Sequence, residues 1–245
     1  MHGGRRAPGA TLPRVTTVPR VTTAPAADAA RPDAVRARHL VVMDVDSTLI
    51  TGEVIELLAD HAGTRAEVAA ITDRAMRGEL DFAASLHARV AALAGLPVTV
   101  FDDVLAAVEL SPGVTELVAE LARRDWPLGL VSGGFVEVVA PLAARLGITR
   151  FRANALELDG GVLTGRVSGP VVDRAAKAEF LRELAAAEQI PLDRTVAIGD
   201  GANDLDMIAA AGFGVAFNAK PVVCAQADAV LGARLDEVLA LGPFA

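Results

Sequence analysis

A single cysteine, Cys224, stands in the 245 residues. No internal disulfide is available, which excludes a disulfide-rich secreted scaffold and makes a reducing cytoplasm the natural compartment. No run of about 18 apolar residues lacks a charge, Gly or Pro, so a membrane-spanning helix is not expected. Collagen-like and coiled-coil patterns are missing too. Net charge is only −8 against an apolar fraction of 52%, and such a chain offsets the entropy of folding, which excludes disorder over most of its length. The length suits one large domain or two small ones.

Charge is unevenly spread. Residues 1–38 carry seven arginines against Asp28 and Asp33, a balance of +5, which leaves −13 for residues 39–245. An acidic body argues against a nucleic-acid partner and for a site that takes up a divalent cation. The segment TLPRVTTVPRVTTAPAADAARP has no helical or alternating period and predicts a disordered tail over 1–38. No apolar stretch follows its arginines, so a secretory signal is not expected.

From residue 39 onward, strand and helix signals alternate. His39–Val45 is a short apolar run rich in β-branched residues, as are Pro127–Ser132, Arg194–Ile198 and Gly214–Phe217. Helical patterns cover Val114–Arg124, Phe135–Leu146, Ala175–Gln189 and Leu205–Ala211, and an Asp159-Gly160 turn predicts a hairpin over 156–163. This alternation implies a parallel α/β sheet of the Rossmann-like kind. Glu53 to Glu109 breaks it with helical patterns only (53–61, 64–77, 82–93, 98–109). The expected organisation is an α/β core of 39–52 and 111–245, with a small helical cap, 53–110, inserted after the first strand. Such a cap belongs over the C-terminal strand edge, where open α/β sheets bind ligands.

Polar groups gather at the predicted strand ends. Asp44 and Asp46 are two residues apart, so on extended chain they share a side, and their mutual repulsion calls for a cation or proton between them. Gly199-Asp200-Gly201-Ala202-Asn203-Asp204 follows another strand and opens a helix. Either cluster alone fits a turn, and a DxD pair also occurs in nucleotide-sugar transferases; together they supply oxygen ligands of the kind Mg²⁺ takes alongside phosphate. Ser132-Gly133-Gly134 offers a hydroxyl and backbone N–H groups to an anion. Lys177, near a helix start where a cation is disfavoured, fits a phosphate neighbour or a solvated surface. His2, His39, His61 and His87 lack metal-ligand spacing, and Trp126 reads as packing.

Asp44-Val45-Asp46-Ser47-Thr48-Leu49, Ser132-Gly133-Gly134-Phe135, Lys177 and Gly199 to Asp204 resemble the four ordered motifs of the haloacid dehalogenase superfamily of phosphatases. Residues 75–82 and 85–90 further resemble the substrate-binding helices of the branch that hydrolyses O-phospho-L-serine. The resemblance runs from about His39 to the C-terminus. The 38 residues ahead of it have no counterpart in the resemblance, and the regulatory ACT domain that some members carry is not expected within them. It implies Asp44 as nucleophile, forming an aspartyl-phosphate, and Asp46 as acid and base. It implies Mg²⁺ held by Asp44, the Asp46 carbonyl and Asp200, with Asp204 behind. Ser132, Gly133, Gly134, Lys177 and Asn203 would hold phosphate or substrate, Glu53 and Arg89 the ammonium and carboxylate of serine, and Met76 and Phe82 an apolar lid. The implied role is the last step of serine biosynthesis, by a cytoplasmic monomer or homodimer acting on a small molecule without nucleic acid or membrane. Hydrolysis of another small ester, phosphoryl transfer to another alcohol, and a receiver-like phospho-accepting signalling role stay open on the residues alone.

Overall fold

The computed structural model describes residues 38–76 and 79–244. The expected tail lies outside these residues, except Arg38.

Leu40–Met43 forms β1, fully buried. Its side chains alternate between two cores: Val41 and Met43 join one hydrophobic cluster, Leu40 and Val42 the other. A strand buried on both faces reads as the continuous apolar run seen in the sequence. Two parallel strands follow, β2 (Leu128–Phe135) and β3 (Arg150–Asp159), and β4 (Val162–Ser168) pairs antiparallel with β3. β5 (Thr195–Gly199), β6 (Phe213–Phe217) and β7 (Ala229–Leu231) complete a seven-stranded sheet in the order β4-β3-β2-β1-β5-β6-β7. The chain winds outward from β1 through β2 and β3, then returns to β5 on its other side, which makes β1 the switch point and opens a crevice at the carboxyl ends of β2, β1 and β5.

The helices α5 (Val114–Arg123) and α6 (Val136–Arg145) cover one face; α7 (Arg174–Ala187) and α8 (Leu205–Ala210) cover the other. Asp173 caps α7 by accepting the Ala176 N–H at 2.9 Å, a contact typically worth about 1 kcal/mol. No helix among the described residues is long and apolar enough to cross a membrane.

Between β1 and β2 lie α1 (Val54–Ala62), α2 (Arg65–Met76), α3 (Phe82–Ala91) and α4 (Val100–Ala107). The chain entering and leaving this helical insertion pairs with itself: Thr51 N–H donates to the Glu109 carbonyl and Ser111 N–H to the Leu49 carbonyl. A second attachment joins the α3–α4 corner to the β3–β4 hairpin. There Gly95 N–H donates to the Leu163 carbonyl, Leu163 N–H to Leu96 and Val98 N–H to Gly161, at 2.8, 2.8 and 3.0 Å.

Three expectations need correction. β2 does not stop at Gly133 but runs through both glycines to Phe135, because its pairing with β3 resumes at Phe135 opposite Asn154. The hairpin turn is centred on Gly160-Gly161 rather than Asp159-Gly160; both glycines have positive φ, +55° and +82°, as a tight hairpin turn demands. β3 begins at Arg150, ahead of the predicted hairpin, and β7 was not foreseen; Arg150 and Arg152 disguise one strand, and three residues are too short to signal the other.

Candidate active site

The first turn after β1 is irregular. Asp44 extends from the strand, and Ser47 adopts a left-handed backbone (φ +57°) that turns the chain back, with its N–H donating to the Gly52 carbonyl at 3.1 Å. Asp44 and Asp46 therefore face the crevice from one loop, as their spacing predicts. Asp46 is fixed at both oxygens: Oδ1 accepts the Val54 N–H at the start of α1 (2.8 Å), and Oδ2 accepts the Ser132 hydroxyl (2.9 Å). Gly134 N–H donates to that hydroxyl oxygen at 2.7 Å. A Cβ on Gly134 would lie 2.6 Å from Asp46 Oδ2, so only glycine allows this approach.

Lys177 is fully buried, not solvated. Its Nζ donates to Asp44 Oδ1 at 2.5 Å and to Asp204 Oδ1 at 2.7 Å. Burial works against its charge, yet Asp204 and Asp44 together hold its pKa above the ordinary lysine value. The cation near the start of α7 is thus matched by two carboxylates. Asp204 spends its other oxygen on the Asp200 and Gly201 N–H groups, at 3.2 and 3.0 Å. Asp44, Asp200 and Asp204 each present an oxygen, all within 4.8 Å of one another. Burial raises the Asp44 pKa well above the carboxylate range, with Asp204 and Asp46 adding and Lys177 opposing. It raises Asp200 to about 7, helped by Asp204 and Glu53, and Asp46 to about 6, helped by the Glu53 charge. This excess of desolvated carboxylates around one ammonium matches the all-oxygen donor set of a hard divalent cation.

The crevice continues beneath the helical insertion as a cavity of about 690 Å³. Asp44, Asp46, Gly133, Gly134, Asp200 and Asn203 line its floor, and Glu53, Phe82 and Arg89 its roof. Ser132 and Lys177 lie just beneath that floor. Glu53 Oε1 accepts the Ser47 hydroxyl at 2.8 Å. Phe82 reaches over Gly133, whose Cβ, if present, would be 3.2 Å from the ring. Arg89 is partly buried and its pKa is lowered by that burial, against the pull of Glu53 and Asp46. Met76 ends α2, but its side chain lies outside the described residues. Sequence reasoning missed Ser47, the hydroxyl that orients Glu53, and the rim cations Arg174 and Lys220. The serine sits inside the motif and was legible; the cations reach the cavity only through the fold.

The model of the haloacid dehalogenase-like hydrolase family matches residues 41–209, and the chain belongs to that family. It is 59% identical over 207 residues to a phosphoserine phosphatase of Streptomyces coelicolor, covering 84% of this chain and 50% of that protein. It is 54% identical over 209 residues to phosphoserine phosphatase SerB2 of Mycobacterium tuberculosis, covering 85% and 51%. The chain thus spans about half the length of these curated relatives. Among solved structures it resembles a phospho-aspartyl intermediate analogue of phosphoserine phosphatase, with a TM-score of 0.78 and 39% identity, covering 83% of this chain and 98% of that one.

Proposed function

We propose that the chain is a Mg²⁺-dependent phosphoserine phosphatase working through a phosphorylated Asp44. The observation that carries this reading is the placing of Glu53 and Arg89, opposite charges from the insertion, in the roof of the cavity whose floor holds Asp44 and Asp46. An amino acid's ammonium and carboxylate match that pair, and its phosphate then reaches the floor. Residues 53–110 act as the cap and residues 39–52 and 111–245 as the catalytic core.

Asp44 attacks phosphorus and the serine oxygen leaves with a proton from Asp46. A water molecule, deprotonated by Asp46, then releases phosphate and restores Asp44. A carboxyl with a pKa near 6 serves both directions at neutral pH, and its two hydrogen bonds aim it. Lys177 and the Ser132 hydroxyl offset charge on the transferring group. Asp44, Asp200 and the Asp46 carbonyl would hold Mg²⁺, with Asp204 behind them. When bound, the ion supplies charge neutralisation between the carboxylates and the phosphate. Asn203 contacts phosphate or substrate, while Phe82 excludes water above it. With one cysteine, the proposed compartment is the cytoplasm.

The test is phosphate release from O-phospho-L-serine, with Mg²⁺ and with EDTA, beside a panel of phosphomonoesters and alcohol acceptors. Mg²⁺-dependent preference for phosphoserine, abolished by Asp44→Asn, is expected. Preference for another ester discards the substrate; phosphoryl transfer to an added alcohol discards hydrolysis.

A further inference from the structure

Asn154 is fully buried in β3 and does not itself line the cavity. Both ends of its side chain are nevertheless engaged. Nδ2 donates to the Gly133 carbonyl and Oδ1 accepts the Val172 N–H, each at 2.8 Å. Only one orientation of the carboxamide satisfies a carbonyl on one side and an N–H on the other, so the pair of bonds fixes the group. Packing alone would be served by an apolar side chain here, opposite Phe135 in the sheet register.

The two partners lie in the two segments that carry the phosphate-facing groups. Gly133 follows Ser132 directly. Val172 precedes Asp173, whose side chain caps α7 and whose carbonyl accepts the Lys177 N–H at 3.0 Å. We infer that Asn154 is a positioning residue: one buried carboxamide sets the spacing between the Ser132 end of β2 and the first turn of α7, and so between the Ser132 hydroxyl and the Lys177 ammonium. This rests on the proposed phosphatase reading, in which those two groups share the phosphate. A low-dielectric interior and satisfied bonds make the link stiff, and transition-state stabilisation is sensitive to the placement of such groups.

Asn154→Asp tests it, because it keeps the shape and the acceptor for Val172 but turns an oxygen, not an N–H, toward Gly133. With phosphoserine as substrate, kcat falls at least about tenfold, and the inhibition constant of inorganic phosphate rises by a similar factor. The inhibition constant of L-serine, which reports Glu53 and Arg89, stays within about twofold. A merely structural role lowers the fraction of active molecules and moves neither inhibition constant; that result, or wild-type behaviour, overturns the inference. If Asn154→Asp does not fold, Asn154→Ser, too short to reach Gly133, is measured by the same constants. Should the wild type prefer another phosphomonoester, the substrate reading fails separately, and kcat on that ester with the phosphate constant still decides the role of Asn154.

Discussion

Arg89 enters the cavity with five N–H donors and one hydrogen-bond acceptor from the described residues, the Ser85 carbonyl at 3.3 Å. Burial lowers its pKa, while Glu53 and Asp46 keep the charge in place. A partly desolvated guanidinium with open donors is poised for a planar carboxylate. Such charge-assisted bonds contribute about 1.5–3 kcal/mol, so Arg89→Ala is expected to lower kcat/KM for phosphoserine by roughly ten- to a hundredfold. Activity on a phosphomonoester without a carboxylate should stay near wild type. Equal losses on both substrates would remove Arg89 from substrate recognition. At this scale the carboxylates of the cavity floor were legible, because acidic residues at the ends of apolar strands conflict with local preference and stand out. Asn154 was not. A lone polar residue within a strand has no sequence signature, and its meaning comes from Gly133 and Val172, 21 and 18 residues away.

Among the elements, the β3–β4 hairpin does more than close an edge of the sheet. Gly165 on β4 has φ +78°, and a Cβ there would lie 2.9 Å from the Ala94 Cβ and 3.2 Å from the Ala91 carbonyl oxygen. The end of α3 is thus seated on the core, and with it the helix that carries Phe82 and Arg89. Gly165→Ala should cost about 1–2 kcal/mol from the left-handed backbone, lowering the thermal midpoint by roughly 2–8 °C for this chain length. It should also raise the KM for phosphoserine more than it lowers kcat, because α3 must shift. Gly147→Ala provides the control, since that glycine has φ +70° and nothing within 4 Å of the added carbon. It should share the loss of stability and leave KM unchanged; a matching rise in KM would rule out the seating of α3 as the cause. The insertion was legible as three or four helices from its amphipathic patterns, and four are present. Its attachment to the hairpin was not, since backbone hydrogen bonds between the α3–α4 corner and β4 leave no trace in side-chain patterning.

Across the whole molecule, folding gathers Asp44, Asp46, Asp200 and Asp204 near the Lys177 ammonium, with Glu53 acting on Asp46 and Asp200, in a chain that is already acidic, at −8. Burial raises Asp200 to about 7 and Asp46 to about 6 from an ordinary value of 3.8. The folded state therefore binds more protons than the unfolded one between these values. Stability contributed by those protons is complete below about pH 4 and is lost as pH rises through about 6 to 7. The metal-free protein should lose thermal stability over that window. Mg²⁺ held by the folded state alone, as proposed, would offset the same repulsion and add about 2.7 kcal/mol at a hundredfold excess over its Kd. Because Mg²⁺ competes with the protons, its increment in thermal midpoint should be larger near pH 8, above both values, than near pH 5.5, below them. Asp200→Asn removes one of the raised carboxylates, so it should flatten the pH slope of the metal-free protein and shrink the Mg²⁺ increment together. Thermal melts in EDTA and in saturating Mg²⁺ at both pH values measure all four quantities. A Mg²⁺ increment independent of pH, or an Asp200→Asn protein that keeps the wild-type slope, would mean that the carboxylate cluster is not where the cation and the protons compete.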